Sequence, residues 1–326
     1  MRIIILGGGG FLGTRLAEAL LEKSTLQISG QESLSFEHLV LVDQHFPEPP
    51  ESDERLTLIE GNITDPSFLK QVCTPAPDVI FHLAAVVSGE AEKNYELGRA
   101  VNSKATEQLL DICREAGHCP TFVFASSCAV FGGDFGEVVK DLTHTTPQSS
   151  YGTQKAIAEL LINDYSRRGW IDGRALRLPT IAVRPGKANA ATTSFVSGII
   201  REPLAGRRQN CPVDRTTKVW ILSPDRVIEH FIHAAELPAD RLGKHRNITL
   251  PGITTTIGEM VDALEAHAGQ ETTQLIDWEA DEFLQKIVLT FPHTFETPRA
   301  EHLGFQPDQN FAAILSQYVN GSLSKV

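Results

Sequence analysis

The chain has 326 residues, of which 41% are hydrophobic, and a formal net charge of −12, so it can bury a sizeable core, and we expect two structural lobes. An acidic chain without a basic patch argues against a nucleic-acid surface, and no apolar run reaches the about 18 residues of a membrane helix. The five cysteines are odd in number and lack paired spacing, which predicts free thiols in a reducing, cytoplasmic compartment.

The first predicted elements are a strand, a glycine turn and a helix. The apolar run 2–6 is followed by Gly7, Gly10 and Gly13, and then by apolar residues at helical spacing over 14–22. Glycines in this setting let the backbone turn tightly and approach a pyrophosphate, whose charge is met by N–H groups at the helix start. The alternative is a flexible glycine linker, but the apolar residues on both sides favour a dinucleotide site.

The second predicted strand ends in an acid, Asp43. A carboxylate at this point can accept both adenosine ribose hydroxyls and would repel a 2′-phosphate, which favours NAD over NADP. The polar stretch 24–36 is interpreted as a lengthened connection between helix and strand. A turn residue or helix cap is the alternative interpretation of Asp43.

Strands and helices continue to alternate, which predicts an α/β fold with a Rossmann-type, doubly wound parallel sheet. We expect a cofactor domain over 1–178 and, from the Pro- and Gly-punctuated remainder, a smaller C-terminal substrate lobe over 179–326. The segment 219–235 is expected to return to the first domain. The further predicted strands and helices are 56–59, a helix starting at Pro66, 79–83, 95–116, 121–125, the helix of Tyr151, and 175–178.

Tyr151 and Lys155 lie four residues apart and therefore on one face of a predicted helix. A free tyrosine has a pKa of about 10, and a nearby fixed positive charge favours the phenolate. We therefore expect Lys155 to lower the pKa of Tyr151 so that it can act as a base. A chance pair on an exposed helix is the alternative. The scattered histidines predict no metal site.

Taken together, these motifs resemble the extended short-chain dehydrogenase/reductase family, the group that contains nucleotide-sugar epimerases and dehydratases. The motifs that carry the resemblance are GGGGFLG, Asp43, GNITD, HLAA, SSCAVFG and YGTQK. Asn62 stands where the family has an acid, and Phe131 where it commonly has a tyrosine.

The resemblance implies roles for individual residues. Ser127 would be the catalytic hydroxyl, Tyr151 the acid/base and Lys155 its partner, which also binds the nicotinamide ribose of NAD. The expected cofactor-binding residues are Gly7, Gly10, Phe11, Leu12, Asp43, Asn62, Ile63, Ala84, Ala85, Tyr151 and Lys155.

Residues beyond the sixth strand bear on the substrate. The segments 177–189 and 200–206, with 87–92, are similar to the D-erythronate dehydrogenase branch of the family, which oxidises the C2 hydroxyl of that four-carbon sugar acid with NAD. A small sugar acid needs cations for its carboxylate, and arginine can hold one with two hydrogen bonds. Each of the basic residues Arg184, Lys187 and Arg201 could instead form an ion pair at the surface or between the lobes. The expected substrate-binding residues are Ser88, Ser127, Tyr151, Thr180, Arg184, Lys187 and Arg201.

Three functions follow as hypotheses. The first is an NAD-dependent sugar-acid dehydrogenase, the second a nucleotide-sugar 4-epimerase, and the third an NAD-sensing binding module. By resemblance alone, the helix 95–116 and the helix of Tyr151 are expected to pair with a second copy, which predicts a homodimer.

Overall fold

A computed structural model describes residues 1–133, 136–186 and 191–323. The strands are β1 Arg2–Leu6, β2 Thr25–Leu26, β3 Leu34–Ser35, β4 His38–Asp43, β5 Leu56–Glu60, β6 Val79–His82, β7 Thr121–Ser127, β8 Asp172–Leu178, β9 Thr180–Ile181, β10 Gln209–Asn210, β11 Lys218–Leu222, β12 Asn247–Thr249, β13 Ile253–Thr256 and β14 Ile276–Asp277.

The helices are α1 Phe11–Lys23, α2 Pro66–Val72, α3 Ser88–Lys93, α4 Tyr95–Gly98, α5 Ala105–Ala116, α6 Ser150–Arg167, α7 Ser194–Leu204, α8 Pro224–Glu236, α9 Ala239–Leu242, α10 Ile257–Ala268, α11 Gln270–Thr273, α12 Glu282–Val288, α13 Pro298–His302 and α14 Phe311–Leu323. A π-helical segment, Arg99–Lys104, joins α4 to α5. Within the described ranges, no helix is long and apolar enough to cross a membrane.

The largest sheet has seven strands in the order β12-β8-β7-β6-β1-β4-β5, which confirms the predicted Rossmann-type architecture. Most of its strands are buried, as expected where helices cover a parallel sheet on both faces, whereas the edge strand β5 is largely exposed. The strand order reverses at β1, because β4 lies on one side of it and β6 on the other. Ligands of such sheets bind at this switch point, outside the carboxyl ends of the strands.

The chain divides into two compact units, and the boundaries differ from the predicted domains. The first unit comprises residues 1–127, 149–177 and 228–249, and the second comprises 128–148, 178–227 and 250–326. Each unit has its own apolar core, one around the large sheet and one around α7, α10 and β11.

The prediction that 219–235 returns to the large sheet is wrong for its strand. β11 forms as expected, but it pairs with β9 and β13 in a separate three-stranded sheet. The later part of α8 does belong to the first unit, which resumes at Ile228. The same stretch continues to β12, the seventh strand of the large sheet. A buried apolar run indicates a strand without indicating its sheet.

Candidate active site

The glycine turn lies at the carboxyl end of β1, next to the end of β6. Gly7 has a φ of 86°, and a Cβ atom there would lie 2.6 Å from the backbone nitrogen of Ala84. Gly10 precedes α1 and supplies no side-chain cap, and a Cβ there would have only the Gly7 carbonyl oxygen, at 3.3 Å, within 4 Å. The backbone at Gly10 is therefore uncrowded, and the N–H groups in the first turn of a helix, here that of Phe11 and Leu12, have no partner within the helix and suit a pyrophosphate.

Asp43 ends β4 beside this turn. Its Oδ2 accepts a hydrogen bond from the Gly9 N–H (3.0 Å), and its Oδ1 accepts from the Gln44 N–H (2.7 Å). A carboxylate oxygen accepts more than one hydrogen bond, so this side chain can also accept from a ribose. The glycine turn and Asp43 thus lie side by side at the switch point of the sheet, where they could hold a dinucleotide.

The remaining predicted cofactor residues follow neighbouring strands of the same sheet. Ala84 and Ala85 follow β6, and the Ala84 N–H donates to the Leu6 carbonyl (2.8 Å). Asn62 and Ile63 follow β5. The Asn62 Oδ1 accepts from the N–H and the hydroxyl of Thr64 (3.0 and 2.9 Å), so this oxygen is already used in a local turn.

The structure brings Ser127, Tyr151 and Lys155 together. Ser127 ends β7, and a side-chain hydrogen bond joins it to Tyr151. Lys155 is 1% exposed, and its Nζ lies 5.6 Å from the centroid of the Tyr151 ring and donates to the Ala125 carbonyl (2.7 Å). Ser149 caps the helix by accepting from the Gly152 N–H (3.1 Å), which fixes where α6 begins.

Burial shifts the pKa values of this pair in directions that disfavour both charges. Loss of solvation raises the pKa of Tyr151 to about 12, although its hydrogen bond with Ser127 acts in the opposite direction. Burial also lowers the pKa of Lys155 to about 7, against the charge of Glu159, which raises it. In the protein without cofactor, desolvation therefore outweighs the hydrogen bond with Ser127. The expectation that Lys155 lowers the pKa of Tyr151 stays a prediction.

The predicted substrate residues are distributed over both units. Ser88 begins α3 in the first unit. Thr180 in β9, Arg201 in α7 and Arg184, which lies between these elements, belong to the second unit. Lys187 lies outside the described residues.

Arg184 and Arg201 lie together within the second unit. The Nη1 of Arg201 donates to the Arg184 carbonyl (2.9 Å), and its Nε donates to Glu202 (2.7 Å). Arg201 is 4% exposed, and among the described residues its Nη2 finds no hydrogen-bond partner. Burial lowers the pKa of the half-buried Arg184, and the positive charge of Arg201 adds to this effect. The unpartnered Nη2 donor of Arg201, next to a second arginine, suits an anion.

Several buried polar residues of the first unit were not predicted from the sequence. The Asn102 amide bonds the Val86 N–H and carbonyl (2.8 and 3.0 Å), and its Nδ2 also donates to Gln154 (2.8 Å). Glu159 accepts from Arg177 in a buried ion pair (2.7 Å). The one available signal was spacing, since Glu159 stands four residues after Lys155, as Lys155 does after Tyr151.

This fold and this site define the class. The chain belongs to the NAD dependent epimerase/dehydratase family, whose model matches residues 3–242, and it is an NAD-dependent dehydrogenase acting on a CH–OH group. The resemblance drawn from the sequence is thereby confirmed.

Particular relatives are similar over nearly their whole length. The chain is 46% identical over 319 residues to the D-erythronate dehydrogenase of Cupriavidus necator, covering 98% of each. It is 43% identical over 319 residues to the D-erythronate dehydrogenase of Haemophilus influenzae, covering 98% of this chain and 99% of that one. The crystal structure of a nucleoside-diphosphate-sugar epimerase from Agrobacterium tumefaciens has a TM-score of 0.92 and 38% identity, over 100% of this chain and 95% of that one.

Changing Asp43 to serine is expected to reduce the preference for NAD over NADP by about 10- to 100-fold, the range for hydrogen bonds to a charged group. Serine removes the charge that repels a 2′-phosphate and one of two acceptors. The measurement is the ratio of kcat/KM for the two cofactors with one substrate. Asp43→Asn, which keeps the size of the side chain and loses its charge, separates the two contributions. An unchanged ratio in both variants would show that Asp43 does not contact the ribose.

Proposed function

We propose that the protein oxidises the C2 hydroxyl of D-erythronate to the 2-oxo acid with NAD. The observation that carries this proposal is the juxtaposition of Ser127, Tyr151 and Lys155 at the carboxyl edge of the sheet. The two D-erythronate dehydrogenases support the choice of substrate because the similarity spans nearly the whole chain.

In the proposed reaction, the Ser127 hydroxyl hydrogen-bonds the substrate oxygen and holds it near Tyr151. The Tyr151 phenolate accepts the hydroxyl proton, while the C2–H bond breaks with its electron pair as hydride and C2 becomes a ketone carbon. Lys155, in its ammonium form, stabilises the phenolate. When bound, NAD supplies the hydride acceptor, a positively charged nicotinamide ring.

The substrate carboxylate is assigned to Arg184, assisted by Arg201. Arg201 donates to the Arg184 carbonyl and to Glu202, and Arg184 is the less buried residue of the two. Ser88, Thr180 and Lys187 remain proposed contacts of the substrate.

The change Arg184→Gln is expected to raise the KM for D-erythronate by about 10- to 100-fold with a smaller effect on kcat, because a charge-assisted bond to a non-reacting group is lost. Steady-state kinetics at saturating NAD measure both constants. Arg207→Gln is the matched control, since Arg207 also pairs with this segment, through Glu202 (2.7 Å), but is exposed. An equal rise in both variants would remove the assignment.

A nucleotide-sugar 4-epimerase is the second candidate, which the similarity to the Agrobacterium nucleoside-diphosphate-sugar epimerase favours. Epimerisation returns the hydride to the sugar, so it produces no net NADH. Production of NADH from D-erythronate and little from UDP-glucose or UDP-galactose is the expected result. Interconversion of the UDP-sugars without NADH would establish the epimerase instead. Binding of NAD without turnover of either class would establish a third function, an NAD-sensing module.

We further infer a homodimer that forms through α4 and α6. Large apolar side chains on these helices are exposed, namely Leu160 (71%), Tyr95 (54%), Ile157 (43%) and Leu97 (40%). Apolar patches of this kind are typical of interfaces between subunits. Light scattering at micromolar concentration should give twice the mass of the chain, and a monomer would remove the inference.

A cytoplasmic enzyme is part of the same proposal. All five cysteines are free thiols, and three of them are buried. Free thiols in this number are expected in a reducing compartment. Fractionation of cells that express the full-length protein would test the location.

A further inference from the structure

Glu159 lies at the centre of a buried polar network in the first unit. It is 2% exposed on α6 and accepts hydrogen bonds from Arg177 Nε (2.9 Å) and Nη2 (2.7 Å), from the Ser126 hydroxyl (2.6 Å) and from Asn247 Nδ2 (3.0 Å). These donors come from three neighbouring strands, β7, β8 and β12. The carboxylate therefore ties α6 to the carboxyl ends of β7 and β8 and to the start of β12.

The network is continuous with the proposed catalytic groups. Glu159 follows Lys155 by four residues and so lies on the same face of α6. Ser126, which Glu159 holds, stands between Ala125 and Ser127 in β7. The Ala125 carbonyl accepts from Lys155 Nζ (2.7 Å), and Ser127 is bonded to Tyr151. One buried carboxylate thus fixes the short strand segment that positions both groups.

The titratable and charged groups around Lys155 come from three elements. From β6, His82 faces it as a neutral ring, because burial and the charge of Lys155 lower the pKa of His82 to about 3. From α6, Tyr151 and Glu159 lie one turn to either side. From β8, Arg177 is committed to Glu159. Among the described residues, Glu159 supplies the negative charge that opposes the lowering of the Lys155 pKa by burial.

We propose that Glu159 is a positioning residue for the dehydrogenase reaction, which holds the end of β7 through Ser126 and keeps Lys155 in its ammonium form. The proposal rests on the roles given above to Tyr151 and Lys155. Without Glu159, Lys155 loses its proton at lower pH and no longer stabilises the Tyr151 phenolate, so activity falls although every reacting group is still present.

A role in folding alone is the competing explanation, since removing one partner of a buried ion pair is destabilising wherever the pair lies. The same strand offers a matched control at its other end. Asp172 pairs there with the buried Arg174 (2.9 Å) and with Arg246 (2.8 Å). Asp172→Asn therefore breaks a comparable network of the first unit that does not include Lys155.

The decisive measurement is the titration of Lys155 in NAD-free protein that carries ¹³Cε-labelled lysine, with Lys155→Met used to assign the signal. Glu159→Gln is expected to lower the midpoint by about one pH unit, the usual scale of such charge effects. It should also move the alkaline limb of kcat/KM to lower pH, because the ammonium form of Lys155 is the active one. Asp172→Asn should change neither.

The double variant Glu159→Gln/Arg177→Met keeps the experiment decisive if Glu159→Gln does not fold, because it leaves no unpaired charge in the core. It should show the same lowered midpoint. A midpoint equal to that of the wild type in the folded variants would overturn the proposal and leave a folding role. Because the titration needs no substrate, a failure of the wild type to oxidise D-erythronate would count against the proposed function and not against this inference.

Discussion

The variant Tyr151→Phe is expected to lose about 10²- to 10⁴-fold in kcat/KM for D-erythronate, the contribution typical of a general acid–base group. Phenylalanine keeps the ring that lies 5.6 Å from Lys155 Nζ and removes only the hydroxyl, which is bonded to Ser127. The affinity for NAD should be nearly unchanged, because the glycine turn and Asp43 are untouched. Initial rates of NADH formation and a fluorescence titration with NADH measure the two quantities.

Tyr165→Phe is the matched control for this variant. Tyr165 lies on the same helix, and its hydroxyl donates to Asp111 (2.8 Å), so this change also removes one bonded hydroxyl from α6. Its activity should equal that of the wild type. Full turnover by Tyr151→Phe would show that another group accepts the proton, and an equal loss in both variants would indicate damage to α6.

The pKa of Tyr151 shows which properties of the site can be predicted from the spacing of residues in the sequence. Two residues four apart on a helix must lie on one face, so the contact between Tyr151 and Lys155 could be predicted from the sequence. The direction of the pKa shift could not, because it depends on how much water the folded protein excludes from the hydroxyl. The structure raises this pKa to about 12. In the proposed reaction, an active phenolate therefore requires nearby positive charge, which a protonated Lys155 and, when bound, the oxidised nicotinamide would supply.

The large sheet was predictable because each of its first six strands is an apolar run followed by a turn or helix signal. The seventh strand, β12, has three residues, Asn247–Thr249, and is too short to show a period. Its place is set by pairing with β8. For β11 the strand was predicted correctly but its sheet was not, since this apolar run joins the three-stranded sheet with β9 and β13. Local pattern determines the type of element, whereas strand pairing depends on distant parts of the chain.

The buried network of Glu159 was missed for a related reason. Glu159 and Arg177 lie 18 residues apart, on a helix and a strand, and nothing in the sequence indicates that both side chains turn inward. The burial of two charges becomes acceptable only when each satisfies the other and neighbouring donors complete the bonding. Such pairs are found only after the tertiary structure is known.

Gly13→Ala is expected to reduce the free energy of unfolding by about 1–3 kcal/mol, the cost of overpacking a rigid site, and to weaken NAD binding with it. A Cβ atom at Gly13 would lie 2.1 Å from the Gly7 carbonyl oxygen and 2.7 Å from the Gly8 Cα. Both are backbone atoms of the cofactor turn, so α1 must move away from β1. Chemical denaturation and NADH titration measure the two effects.

Gly10→Ala separates folding from cofactor binding within the same turn. Gly10 has a φ of −79° and a ψ of 162°, which alanine also adopts, and its Cβ would have a single neighbour, 3.3 Å away. This variant should keep nearly the stability of the wild type. It should nevertheless bind NAD about tenfold or more weakly, because the methyl group occupies the open side on which the pyrophosphate must approach the backbone. If Gly10→Ala bound NAD with the affinity of the wild type, the phosphates would have to lie elsewhere along α1, and the proposed contacts of Gly10, Phe11 and Leu12 would fall together.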